Sequence, residues 1–106
     1  MKRLSWIATV VLTASLLSGG ADAQSPGRLL ASNCFQCHGT NGNPTAGGFD
    51  RLAGKPEADI YEELLELRRP PATVEPEEEL MAVHANGFTP AELRLIARFF
   101  SQQQRR

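Results

Sequence analysis

Cysteine and histidine are scarce in this 106-residue chain, which holds two of each. A tetrahedral structural zinc site needs four ligands at workable spacings, and His38 directly follows Cys37, a poor start for one. No β-branched run follows the first 23 residues. That removes the sheet on which a thioredoxin-like C-x-x-C pair would sit. No Ser/His/Asp arrangement or carboxylate dyad offers hydrolytic chemistry, and no internal repeat or second domain is apparent. An apolar run of bilayer length is missing too. Residues 4–17 come nearest, but they fall short of the roughly 20 a spanning helix needs, and Ser5, Thr9, Thr13 and Ser15 dilute them.

That short run is instead expected to be the core of a signal peptide. Lys2 and Arg3 precede it, Gly19-Gly20 breaks it, and Ala21-Asp22-Ala23 is an A-x-A cleavage site. Residues 1–23 are therefore predicted to be removed, leaving residues 24–106 as one exported domain. Export of this style suggests a bacterial periplasm, where two free cysteines would ordinarily pair unless another reaction uses them first. Without Lys2, Arg3 and Asp22 the domain carries 9 basic and 11 acidic residues. A weakly acidic balance leaves no nucleic-acid footprint, and no membrane span is expected in the mature chain. Between residues 57 and 79 the acidic groups are dense. Such a run is usually a solvated face; its functional reading is a docking surface for a basic partner.

The hydrophobic pattern predicts an all-α fold of about four helices. A first helix is expected over residues 26–33, opened by Pro26, with Gly27, Leu29 and Leu30 as its packing face. A Gly-rich loop follows His38. Pro56 is expected to open a second helix ending before Pro70-Pro71, with Ile60, Leu64 and Leu67 on one stripe beside Tyr61 and Leu65. Arg68 and Arg69 would suit its C-terminal dipole. Pro76 is expected to start a third, carrying Met81 and His84 and stopping at Asn86-Gly87. Thr89-Pro90-Ala91-Glu92 reads as a capping box. It opens a last helix striped by Leu93, Ile96, Ala97 and Phe100, with Phe99 alongside, and residues 102–106 are expected to be a frayed tail.

The chemistry lies in Cys34-Phe35-Gln36-Cys37-His38. The spacing C-x-x-C-H sets two thiols to form thioethers with the vinyl groups of a porphyrin, and the following imidazole can ligate its iron. One covalently attached haem c would also staple a domain too small to rely on its core alone. Elimination narrows the far side of the iron. Met81 is the only methionine left after the leader, His84 the only other histidine and Lys55 the only lysine. A thioether opposite imidazole is the ligation of electron-transferring cytochromes, which favours Met81. His84, three residues on and on roughly the same helix side, is the rival, and Lys55 or an open site are the remaining options. With both axial positions filled there is no place for substrate, and the iron only gains or loses an electron.

These residues resemble the class I c-type cytochromes. ASNCFQCHGTNGN (residues 31–43), LAG (52–54) and GFTPAELRLIARFF (87–100) are similar to the cytochrome subunit of flavocytochrome c sulfide dehydrogenase. The resemblance implies an axial methionine at Met81, six residues before Gly87. It also implies terminal helices crossing where Gly27 meets Phe99 or Phe100. Two features depart from the pattern. A proline loop with a carbonyl for the proximal imidazole is replaced by Ala46-Gly47-Gly48-Phe49, and Glu75 to Glu79 looks like an acidic insertion before Met81. The function implied is a periplasmic single-electron carrier with His38/Met81 ligation. It would serve as the electron-accepting haem subunit beside a catalytic chain, such as a flavoprotein, that oxidises a reduced sulfur compound. A free-standing shuttle to a terminal oxidase or reductase is the alternative, and a gas- or redox-sensing haem module a third.

Overall fold

A computed structural model describes residues 25–45, 47 and 49–106. The leader segment, its cleavage site, Ala46 and Gly48 lie outside the described residues. Among the described residues five α-helices follow one another: α1 (Pro26–Ala31), α2 (Phe35–His38), α3 (Glu57–Leu67), α4 (Glu79–Asn86) and α5 (Pro90–Ser101). A 3₁₀ turn, Ser32–Cys34, joins α1 to α2. The first helix thus does not stop at residue 33 as expected. It runs on through the cysteine motif, giving four helical units, and no strand occurs among the described residues.

Helix α5 is the centre of the fold, with α1 and α3 packed against it and α4 against α3. Its start is the expected capping box. Thr89 Oγ1 accepts from the Glu92 N–H at 3.2 Å, and the Thr89 N–H donates to Glu92 Oε1 at 2.9 Å. The side chains satisfy backbone donors that the first turn cannot. Leu93, Ile96, Ala97, Phe99 and Phe100 are all buried, because residues three and four apart share one side of a helix. Ile60 and Leu64 of α3 complete that core with Ala31 of α1. Outside it, Arg94 lays its guanidinium 3.6 Å from the centroid of the Tyr61 ring, bracing α5 on α3.

The crossing of α1 and α5 depends on a missing side chain. A Cβ on Gly27 would meet the Leu95 carbonyl oxygen at 3.0 Å and Phe99 Cβ at 3.5 Å. Phe99, rather than Phe100, is therefore the aromatic that faces this glycine. Leu29 was expected on the packing face and is instead 72% exposed. Ala31, two residues on, is turned into the core in its place, since a step of two residues carries a side chain to the opposite side of a helix.

Other boundaries differ locally. Pro56 caps α3 from outside, and α3 ends at Leu67, so Arg68 and Arg69 lie beyond its last turn. Pro76 opens a 3₁₀ turn, Pro76–Glu78, that leads into α4. The segment after α5 is not frayed. Asn43 Nδ2 donates to the Gln104 carbonyl at 2.9 Å, and Arg51 Nη2 donates to the Arg106 carbonyl at 2.6 Å. Its polar residues gave no hydrophobic sign of docking because what holds them is hydrogen bonding of the tail backbone to side chains some 60 positions away.

Candidate cofactor site

The 3₁₀ turn and α2 put Cys34 and Cys37 three residues apart on helical backbone, hence on one side of it. Both thiols are free and half-buried. Burial, with a smaller contribution from the neighbouring Cys37, pushes the Cys34 thiol up to about 11. His38 ends the same helix. Its Nδ1–H donates to the backbone carbonyl of Asp50 at 2.8 Å. A carbonyl only accepts, so the proton belongs to Nδ1 and the lone pair is left on Nε2. Phe49 stands edge-on to the imidazole, with ring centroids 6.2 Å apart and planes at 70°.

Beside this helix lies a cleft of roughly 430 Å³, a common size for a small-molecule site. Cys34, His38 and Met81 all line it. Its walls come from Leu52, Ile60, Leu64, Leu67, Ile96 and Phe100. Phe35, between the cysteines, anchors the motif to that wall, with its ring centroid 6.1 Å from those of both Phe99 and Phe100. At the mouth stand exposed Glu63, Glu66, Glu77 and Glu78, with Arg69. The residues Glu75 to Glu79, seen in sequence as an insertion, thus form the turn that delivers two of these carboxylates to the rim.

The three candidates for the far ligand are separated by their surroundings. Met81 is half-buried in the cleft. His84 is exposed and does not line the cleft; its Nδ1–H donates to the Leu80 carbonyl of its own helix at 2.8 Å, which leaves Nε2 as free as that of His38. Lys55 faces the Asp50 carboxylate at 3.9 Å. An imidazole with a free Nε2, a thioether, a nearby free thiol pair and an apolar cavity form a donor set that fits a haem and its iron.

Two contributors were missed in the sequence. The Asp50 carbonyl has no signature, because every residue carries that group. The chemistry of the C-x-x-C-H motif assigns Phe35 no role, although a large apolar residue on a helical turn beside a core of aromatics is a usable signal.

Residues 25–104 match the Cytochrome c family. The cytochrome subunit of sulfide dehydrogenase from Chlorobaculum tepidum is 32% identical over 77 residues, covering 73% of this chain and 66% of that protein. The chain thus spans just under two thirds of that relative's length.

Proposed function

The chain belongs to the cytochrome c family, a haem electron carrier with covalently bound haem c, and from that premise we propose that His38 and Met81 would hold the haem iron. Cys34 and Cys37 are the thioether tethers. The observation that carries this reading is the shared cleft, in which Cys34, His38 with its free Nε2, and Met81 meet. When bound, the haem supplies reversible one-electron exchange at its iron.

The chain's own residues do the rest. The Asp50 carbonyl fixes the tautomer and plane of His38 and makes its imidazole a better donor. Met81 offers a soft, weakly basic sulfur, which favours the reduced state. Leu52, Ile60, Leu64, Ile96 and Phe100 keep water away, so little solvent reorganises when charge changes. With His38 and Met81 both given to the iron, the chain would leave no position there for substrate, which suits a carrier better than a catalyst.

The domain spanning residues 24–106 acts in the periplasm after removal of residues 1–23. It accepts electrons from a separate catalytic chain, carrying a flavin or another cofactor, that oxidises a reduced sulfur compound. The relative's role as a sulfide dehydrogenase subunit supports this partner class. Expression with residues 1–23 in a host that attaches haem in its periplasm should yield osmotic-shock protein whose haem resists acid-acetone extraction. Its N-terminus should lie near Gln24. Cys34→Ser with Cys37→Ser should lose the covalent haem entirely. Extractable haem in the wild type would refute the tethering, and recovery only from the cytoplasm would refute the location.

The acidic rim supports a partner with a basic docking face. Its effect is measurable without that partner. Glu63→Lys with Glu66→Lys should slow oxidation of the reduced protein by a cationic cobalt complex and speed oxidation by ferricyanide. The ratio of the two rates should change on the order of tenfold at low salt. The difference should fade toward 1 M salt, where the Debye length is about 3 Å. Equal rates in variant and wild type at low salt would mean that electrons leave through another face.

A further inference from the structure

The carbonyl that orients His38 lies on backbone without regular structure, between the 3₁₀ turn ending at Gly42 and the start of α3 at Glu57. Its position is set by anchors from elsewhere. The Gly42 carbonyl accepts from the N–H groups of Leu52 at 3.0 Å and Ala53 at 3.1 Å. The Phe100 carbonyl accepts from the Gly54 N–H at 2.9 Å. Gly42 suits this role because its φ is +80°, and a Cβ there would meet both Ala53 N and Phe100 Cδ1 at 2.8 Å.

The remaining anchors come from the tail after α5. The Asn43 side chain makes two bonds to it, donating from Nδ2 to the Gln104 carbonyl at 2.9 Å and accepting the Arg106 N–H on Oδ1 at 2.8 Å. Arg51 Nη2 holds the Arg106 carbonyl at 2.6 Å. Gln103 Nε2 donates to the Phe99 carbonyl at 2.9 Å, so the tail is also tied to the helix it leaves. Arg51 directly follows Asp50. The tail therefore grips the residue one peptide bond from the carbonyl that receives the His38 proton.

We propose that residues 103–106 form a strap that positions the His38–Asp50 hydrogen bond and so tunes the iron's reduction potential, with Asn43 and Arg51 as its positioning residues. This rests on His38 being an iron ligand. A held hydrogen bond on Nδ1 makes the imidazole a stronger donor and favours ferric iron. A loosened strap lets the loop drift, weakens that bond and favours ferrous iron.

The test uses the full haem-bound chain carrying Asn43→Ala, Arg51→Gln, or both, with Thr89→Ala as a control. Thr89→Ala breaks the cap of α5 and lowers stability without touching the loop. The expected result is a more positive reduction potential in the strap variants, largest in the double variant. In reduced protein labelled with ¹⁵N-histidine, the His38 Nδ1 proton should exchange with water at least tenfold faster. Asn43→Asp keeps the acceptor for the Arg106 N–H and should shift the potential less than Asn43→Ala. Unchanged potential and exchange in the strap variants overturn the proposal even where stability falls. So does a shift of equal size in Thr89→Ala. If the wild type shows no metal-bound Nε2 signal for His38, it is the ligation itself that fails, and the strap's redox role with it.

Discussion

Replacing Met81 with alanine is expected to remove the weak sulfur-to-iron band at the red end of the oxidised spectrum. The potential should fall by on the order of 0.1–0.2 V, inside the roughly 0.8 V range that axial ligands command. Reduced protein should then bind carbon monoxide rapidly, which the wild type should not. The effect is large because nothing nearby can take over. On α4 the next candidate, His84, is exposed and does not line the cleft. Leu80 and Val83, flanking Met81, are themselves exposed and offer no donor. His84→Ala should accordingly leave the band, the potential and the indifference to carbon monoxide unchanged. Absence of the band from the wild type would sink the Met81 assignment. Rapid carbon monoxide binding by the wild type would move the protein toward the sensor class.

Phe100→Ala should cost about 3–5 kcal/mol, the usual penalty for deleting a fully buried aromatic ring. Against a typical total of roughly 5–15 kcal/mol this is severe in so small a domain. Phe100 is 0% exposed, packs edge-on to Phe99 at 5.4 Å and Phe35 at 6.1 Å, and also lines the cleft. Its removal therefore opens the core into the site and loosens the anchoring of Phe35 between the two cysteines. In thermal unfolding of the haem-bound protein the midpoint should drop by about 15 °C or more. Leu29→Ala, on a surface residue the sequence had placed in the core, should change stability by less than about 0.5 kcal/mol. A comparable loss in both variants would mean that α1 packs through a different face.

Much of the site was legible before folding was considered. Cys34, Cys37 and His38 lie within five residues, so their chemistry follows from spacing alone. The stripes of α3 and α5 and the Thr89 capping box follow from the period and end chemistry of a helix. Elimination points to Met81, and the fold places that residue on the wall of the cleft that Cys34 and His38 also line. Leu29 was misplaced because a helix as short as α1 carries too few residues for its period to decide which side is buried. The tail was misread because polar residues after a helix look alike whether they dangle or dock.

What residue order determined by itself is thus the local and the compositional: an attachment motif for haem c, helices of definite period, and a short list of iron ligands. The tertiary structure alone decided which carbonyl takes the His38 proton, which side of α1 meets Phe99, and that acidic residues from two separate segments share one rim. Each of these is a distance between groups far apart in the chain. Backbone carbonyls and surface carboxylates are chemically the same wherever they occur, so only folding can select among them.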